Sequence, residues 1–296
     1  MSILVTGAAG YIGSALAKAL PAARTLTTDQ TAPARVIGNL ASPQFTRSLI
    51  TPDIDVVFHL AALVSGGAEQ NFELGTKVNL DATRDLLEAC RLAGHCPKFV
   101  FASSIAVYGQ VDKVDDETAP APRISYGAQK LVCEILIDDY SRRGYVDGRA
   151  LRLPAVMVRP GGANTAVTGW GSAIIREPLA GRDYLCPVRP DTRMACISVG
   201  RVVENLIRIG EAPKDVLGFP RTVLLTGIPV TAQQMWEAVK PRTEARVRFE
   251  PDPALQAIMD KGPKATYSRR AAELGLAHSV SIDEIIAEYL RQPRAA

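Results

Sequence analysis

Tyr126 and Lys130 form a Y-x-x-x-K pattern, a spacing that puts both side chains on one face of a helix. An ammonium beside a phenol favours the phenolate and lowers the tyrosine pKa. A tyrosine tuned in this way can act as general base towards an alcohol near neutral pH. The pattern also arises by chance, with a surface tyrosine and a solvated lysine as the plain alternative. Ser103 and Ser104 close the apolar run Lys98–Ala102. At the carboxyl end of a strand, a serine hydroxyl can hydrogen-bond a reacting oxygen or simply cap the strand.

A second constellation opens the chain. Gly7, Gly10 and Gly13 make G-x-x-G-x-x-G directly after the apolar run Ser2–Thr6. Glycines there allow a tight strand-to-helix turn and a close approach of backbone to a pyrophosphate, and the helix start offers free N–H groups to the anion. Asp29 stands where the second strand should end, so its carboxylate can accept hydrogen bonds from the adenosine ribose hydroxyls. A carboxylate there repels a 2′-phosphate and favours NAD. Arg24 and Arg35 lie close enough in sequence to keep NADP as the alternative.

Positioning these groups requires alternating elements, and the first half supplies them. Short apolar runs at Ser2–Thr6, Arg24–Thr28, Arg35–Ile37, Val56–Leu60 and Lys98–Ala102 read as buried strands. Helical patterns lie between them at Tyr11–Leu20 and Asn71–Ala93, followed by Ser125–Arg143 and a strand over Arg149–Val158. That alternation predicts an α/β, Rossmann-type, doubly wound parallel sheet. Beyond Pro160 glycine and proline become frequent, so the spacing predicts a nucleotide-binding domain over residues 1–159. Residues 160–296 then form a smaller, mainly substrate-binding region, with some segments returning to the sheet. Within that region Ser198–Gly210, Thr231–Val239 and Ser281–Leu290 read as helices, and Arg221–Thr226 and Ala245–Phe249 as strands.

Composition narrows the function classes. The chain is 47% hydrophobic and 22% charged, as globular proteins are, with 34 basic and 31 acidic residues. So even a balance argues against a nucleic-acid or membrane-surface binder. No apolar stretch approaches the ~20 residues of a membrane span, and Met-Ser-Ile-Leu-Val-Thr-Gly lacks the basic start of a signal peptide. The five cysteines, Cys90, Cys96, Cys133, Cys186 and Cys196, are odd in number and have no CxxC spacing. Reduced thiols in a cytoplasmic protein are therefore expected, with no metal site.

TGAAGYIG, HLAA, SSIAVYG and YGAQK occur in this order and resemble the extended short-chain dehydrogenase/reductase family, the NAD-dependent epimerases and dehydratases. RTVLLTG and SRRAAELGL resemble that family's late strand and carboxy-terminal helix start. The resemblance implies that Tyr126 is the catalytic acid–base, Lys130 its tuner and ribose ligand, and Ser104 the catalytic serine with Ser103 beside it. It implies cofactor contacts from Gly7, Gly10, Tyr11, Ile12 and Gly13 in the first turn. Further contacts would come from Asp29, Asn39 and Leu40, then from Leu60, Ala61 and Ala62. Asn79 in KVNLDAT, Ser103, Leu153 and Ala155 complete the set. His59 reads as a packed strand-end histidine.

The chain departs from the nucleotide-sugar enzymes of the family. Ala155 stands at their asparagine, Arg159 at a usual glycine and Asn39 at an acidic adenine contact, and RMACISVG keeps Arg193 without either aspartate. HLAALVSGGAE, DDYSRRGYVDGRALRLPAV and IIREPLAG followed by CPVRPDTR resemble the D-erythronate dehydrogenase branch. That likeness implies NAD-dependent oxidation of the C2 hydroxyl of a four-carbon sugar acid. A carboxylate substrate calls for arginine, which binds it bidentately. Arg159, Arg176, Arg182 and Arg193 are the candidates, with Arg176 and Arg193 as the preferred pair and Ser65, Ser104, Tyr126 and Asn164 as further substrate contacts. A nucleotide-sugar epimerase or dehydratase is the alternative enzyme, and a non-catalytic NAD sensor the alternative of another class. Relatives that pair through the helices bearing Asn79 and Tyr126 imply a homodimer, with Leu131–Ile137 as the contributing face.

Overall fold

The computed structural model describes residues 2–161 and 167–292. Along the chain run β1 (Ser2–Thr6), α1 (Tyr11–Ala19), β2 (Thr25–Asp29), β3 (Val36–Ile37), α2 (Pro43–Ser48), β4 (Ile54–His59), α3 (Ser65–Gln70), α4 (Phe72–Gly75) and α5 (Ala82–Ala93). Then come β5 (Lys98–Ser104), β6 (Lys113–Val114), α6 (Ser125–Arg142), β7 (Asp147–Leu153), β8 (Ala155–Met157), α7 (Gly169–Leu179), β9 (Tyr184–Cys186), β10 (Arg193–Ser198) and α8 (Val199–Glu211). The last part holds α9 (Lys214–Leu217), β11 (Thr222–Leu224), β12 (Ile228–Thr231), α10 (Ala232–Val239), β13 (Val247–Phe249), α11 (Pro253–Lys261), β14 (Ala265–Thr266), α12 (Arg269–Glu273) and α13 (Ile282–Arg291).

Seven parallel strands form the main sheet in the order β11-β7-β5-β4-β1-β2-β3. The chain winds outward from β1 through β2 and β3, then restarts at β4 and winds the other way. The reversal lies between β1 and β4, and in such sheets ligands bind outside the carboxyl ends of the strands at that point. Gly7, Leu60 and the end of β5 all gather there.

Strand alternation builds one core on each face of this sheet. Ile3, Val5, Val56, Phe58 and Val100 pack with Leu16 of α1 and Val202 and Leu206 of α8. Their sequence neighbours Leu4, Val57, Phe99 and Phe101 pack on the opposite face with Leu86 and Leu87 of α5 and Cys133 and Ile137 of α6. Truncating a buried phenylalanine such as Phe99 to alanine costs about 3–5 kcal/mol in comparable cores. A third core, around Trp170, Ile174, Met194 and Met235, holds the carboxy-terminal elements together.

Three readings change. Arg149–Val158 is two strands: β7 belongs to the main sheet, whereas β8 pairs with β10 in a three-stranded sheet with β12. Pro154 lies between them and has no N–H to continue a ladder. The helix expected over Asn71–Ala93 starts at Asn71, whose side chain caps α4 by accepting from Leu74 N, and passes through a π-helical turn at Thr76–Asp81 before α5. Helices α7 and α11 and strand β10 carried no clear periodic signal. In α7, GWGSAIIREPL, glycines and a proline mask a helix that is held by burying Trp170, Ile174 and Ile175. Among the described residues no helix is long and apolar enough to cross a membrane, and no cluster of His, Cys, Asp or Glu is placed to hold a metal.

Candidate active site

β1 ends at Thr6, and the chain turns at Gly7 with φ of +72°. A β-carbon at Gly7 would stand 2.6 Å from Ala61 N, and one at Gly13 would stand 2.0 Å from Gly7 O. Only glycine leaves this turn tight against the strand and the start of α1 free. At the end of β2, Asp29 accepts from Ala9 N at 2.8 Å and Gln30 N at 2.7 Å, so its carboxylate is fixed beside the loop with lone pairs to spare. This cradle fits a dinucleotide. Asn39 is exposed and accepts from Ala41 N at 2.9 Å and from Gln30 Nε2 at 3.3 Å. Leu40 differs from expectation: its side chain is buried among Leu49, Ile54 and Leu86.

A cavity of about 830 Å³ opens at the carboxyl edge of the sheet, within the ~300–1,000 Å³ range of ligand sites. Gly7, Gly10, Tyr11, Ile12 and Gly13 line one end, with Leu60 and Ala62 behind them, and Leu153 and Ala155 close another wall. Ala61 lies against Gly7 and outside the lining. Ser104, Tyr126 and Lys130 share the floor. Ser104 caps the turn Ile105–Val107 by accepting from Ala106 N at 3.1 Å, which fixes its hydroxyl, and that hydroxyl helps to hold down the Tyr126 phenol.

The electrostatics differ from the simple tyrosine–lysine pair. Burial pushes the Tyr126 phenol up to about 12, opposed by the Arg159 charge and by the bond to Ser104. Lys130, 1% exposed, donates to the Ala102 carbonyl at 2.8 Å and lies 4.4 Å from the Phe101 ring centroid. Burial pulls it down to about 8, against the raising influence of Cys133 and Glu134. The Arg159 charge and the Ser104 hydroxyl both hold the phenol down.

Two polar networks support this floor. Ser103 lines the cavity, but its hydroxyl donates to Glu134. Arg152 donates to Glu134 at 2.7 Å and to the Tyr108 hydroxyl at 2.7 Å, so the end of β5 is tied to α6 and β7. Asn79, expected at the cofactor, is 1% exposed and lies outside the cavity lining. It accepts from Leu63 N at 2.8 Å and donates to Leu63 O at 3.0 Å and Gln129 Oε1 at 2.7 Å. Asn79 therefore positions the loop after β4 against α6. His59 is held between the hydroxyls of Thr6 at 2.7 Å and Thr83 at 2.9 Å, and burial, then the Lys130 charge, lowers its pKa to about 3.

Of the four arginine candidates, the structure brings one to the site. Arg159, after β8, lines the cavity. Arg176 is 7% exposed, pairs with Glu177 at 2.8 Å and donates to Arg159 O at 2.8 Å, so it supports the site from behind. Arg182 pairs with Glu177 at 2.7 Å on the surface. Arg193 is exposed at the start of β10, whose cavity-lining residues are Met194 and Ala195. Ser65 lines the cavity, and Asn164 lies outside the described residues. Arg123 and Lys261 also line it; no local pattern marks them, because α11 reaches the site only through the tertiary fold. Among the described lining residues the charged ones are Arg123, Lys130, Arg159 and Lys261, with no aspartate or glutamate.

The family model described as the NAD dependent epimerase/dehydratase family matches residues 3–214. The chain belongs to that family. NAD is its cofactor, and the glycine turn with Asp29 is the part of the family fold that fits it. The chain is 42% identical to a D-erythronate dehydrogenase of Cupriavidus necator, with 98% of each protein covered. It is 35% identical to the D-erythronate dehydrogenase of Haemophilus influenzae, covering 98% of this chain and 99% of that one. A structure described as a nucleoside-diphosphate-sugar epimerase from Agrobacterium tumefaciens superposes with a TM-score of 0.90 at 34% identity, covering 99% of this chain and 94% of that one.

Proposed function

We propose that this family member is an NAD-dependent dehydrogenase of a small sugar acid, D-erythronate, oxidising its C2 hydroxyl to the 2-oxo acid. The observation that carries the reading is the cavity itself, in which Ser104, Tyr126 and Lys130 meet a lining whose charged side chains, among the described residues, are all cationic. Low-dielectric walls with one sign of charge concentrate ligands of the other. The two D-erythronate dehydrogenases similar along the whole chain support the same substrate.

When bound, NAD supplies the hydride acceptor. The chain supplies the proton chemistry. Ser104 Oγ and Tyr126 Oη hold the C2 hydroxyl between them, and Tyr126 takes its proton as the C2–H bond breaks. The fixed Ser104 hydroxyl and the Arg159 charge stabilise the phenolate before the reaction. Lys130, anchored on Ala102, adds a positive charge beneath it. Such positioned acid–base chemistry typically contributes 10²–10⁴-fold.

The description of the Agrobacterium structure favours a second reading, turnover of a nucleotide sugar. Mass analysis together with chromatography of the products separates the two, because an epimer keeps the mass of its parent. Conversion of D-erythronate to a product lighter by two hydrogens, with UDP-glucose returned unchanged, is the expected outcome; the reverse pattern overturns the first reading.

We further infer a homodimer and a reducing, cytoplasmic setting. On α6, Cys133 and Ile137 face the core, while Val132 and Ile135 are exposed and Phe72 of α4 is 67% exposed. Exposed apolar side chains on neighbouring helices are a common mark of an interface. The five thiols are unpaired, and Cys90, Cys133, Cys186 and Cys196 are buried.

A further inference from the structure

Among the described residues Arg159 is a cation without an anion. It lines the cavity, its charge acts on the Tyr126 phenol, and its guanidinium lies 6.0 Å from the Tyr11 ring centroid. Partial burial pulls its pKa below the ordinary arginine value, and the groups that oppose this are Tyr11 and Tyr126 rather than a carboxylate. No aspartate or glutamate pairs with it among the described residues, and residues 162–166, Gly-Ala-Asn-Thr-Ala, contain none. Taking a charge out of water is costly unless an opposite charge compensates.

The backbone at this position is fixed on both sides. Arg159 N donates to Ser172 Oγ at 3.0 Å, and Arg159 O accepts from Arg176 Nη1 at 2.8 Å. Both partners belong to α7, and Arg176 is itself locked by Glu177. The elements that hold Arg159 are thus rigid, as a binding residue requires. The other cations differ: Lys130 is committed to Ala102, while Arg123 and Lys261 are exposed side chains suited to steering an anion inward.

Substrate chemistry narrows the role. Tyr126 must reach the hydroxyl on C2, and in a 2-hydroxy acid the carboxylate carbon is bonded directly to C2. The cation that takes the carboxylate must therefore adjoin Tyr126. Arg159 lines the same cavity as Tyr126 and its charge reaches the phenol, whereas Arg176 and Arg193 do not line the cavity. We propose that Arg159 is the carboxylate anchor that restricts this site to 2-hydroxy acids, holding C1 so that the C2 hydroxyl falls between Ser104 and Tyr126. A neutral sugar ring in the same place leaves the guanidinium uncompensated, which selects against nucleotide sugars. The assignment rests on the sugar-acid reading above.

The test compares D-erythronate with its primary amide, which keeps every hydroxyl and loses the charge. In Arg159→Met, kcat/KM for D-erythronate is expected to fall on the order of 10²-fold or more, the scale of losing one partner of a buried charge pair. Turnover of the amide should fall much less, only by the share of the Arg159 charge in holding down the Tyr126 phenol, and binding of NAD by calorimetry should stay near wild type. Arg159→Lys, which keeps charge without the fork, should recover part of the acid activity. Equal losses on acid and amide would leave Arg159 acting only through the Tyr126 phenol or the fold and overturn the proposal, as would an unchanged KM for the acid. A wild-type protein that neither binds nor oxidises any sugar acid overturns the functional reading itself, a result distinct from either of these.

Discussion

The Lys130 ammonium donates to the Ala102 carbonyl at 2.8 Å and stands 5.6 Å from the centroid of the Tyr126 ring. The lysine is therefore anchored to the end of β5, the same strand that delivers Ser104. Phenol and serine move with one scaffold, and the serine hydroxyl is the uncharged group that pulls the phenol towards ionisation.

Ser104→Ala removes that hydrogen bond. The phenol pKa then rises further, so the alkaline-rising limb of the kcat profile should move to higher pH. kcat near neutrality should fall by about 10²-fold. A kcat–pH series with D-erythronate measures both effects. An unmoved limb would exclude Ser104 from tuning Tyr126.

His59 gives a stability prediction of definite sign. Its folded pKa is about 3 against an ordinary 6.5. As pH falls below about 6.5 the unfolded chain takes up a proton that the folded chain refuses. The stability contributed by neutral His59 is thus lost progressively down to about pH 3, with a slope of at most about 1.4 kcal/mol per pH unit from this group. His59→Gln, which does not titrate, should show a shallower loss between pH 7 and 5 in urea unfolding. Identical slopes would refute the buried neutral histidine.

Gly13→Ala places a β-carbon 2.0 Å from Gly7 O, so α1 has to withdraw from the turn. Overpacking of this kind costs about 1–3 kcal/mol, and NAD affinity should weaken roughly tenfold or more. Calorimetric titration with NAD reads it directly; unaltered affinity would mean the turn does not carry the cofactor.

Ile135→Glu puts a charge on the outward face of α6. Sedimentation should give a dimer for the wild type and a monomer for the variant. A monomeric wild type would end the dimer inference.

The glycine turn, Asp29 and the Ser104–Tyr126–Lys130 set are legible in the sequence because each depends on a local pattern, strand–turn–helix or one helical turn. Arg159 is not singled out that way. Its placement follows from the change of sheet at Pro154 and from the grip of α7, both tertiary facts, and Arg176, preferred from its motif, serves instead to hold Arg159. Motif position marks Asn79 as important but does not tell a cofactor contact from a clamp on Leu63. Lys261 reaches the cavity from far along the chain, where nothing local announces it.

Acid oxidation at Tyr126 is read at its source by NADH formation from NAD and D-erythronate. Wild-type protein should produce NADH in step with acid consumed, and Tyr126→Phe should lower that rate by at least about 10²-fold while NAD affinity is retained. Silence of the wild type with D-erythronate would rule out acid oxidation, and near-normal turnover by Tyr126→Phe would rule out Tyr126 as its base.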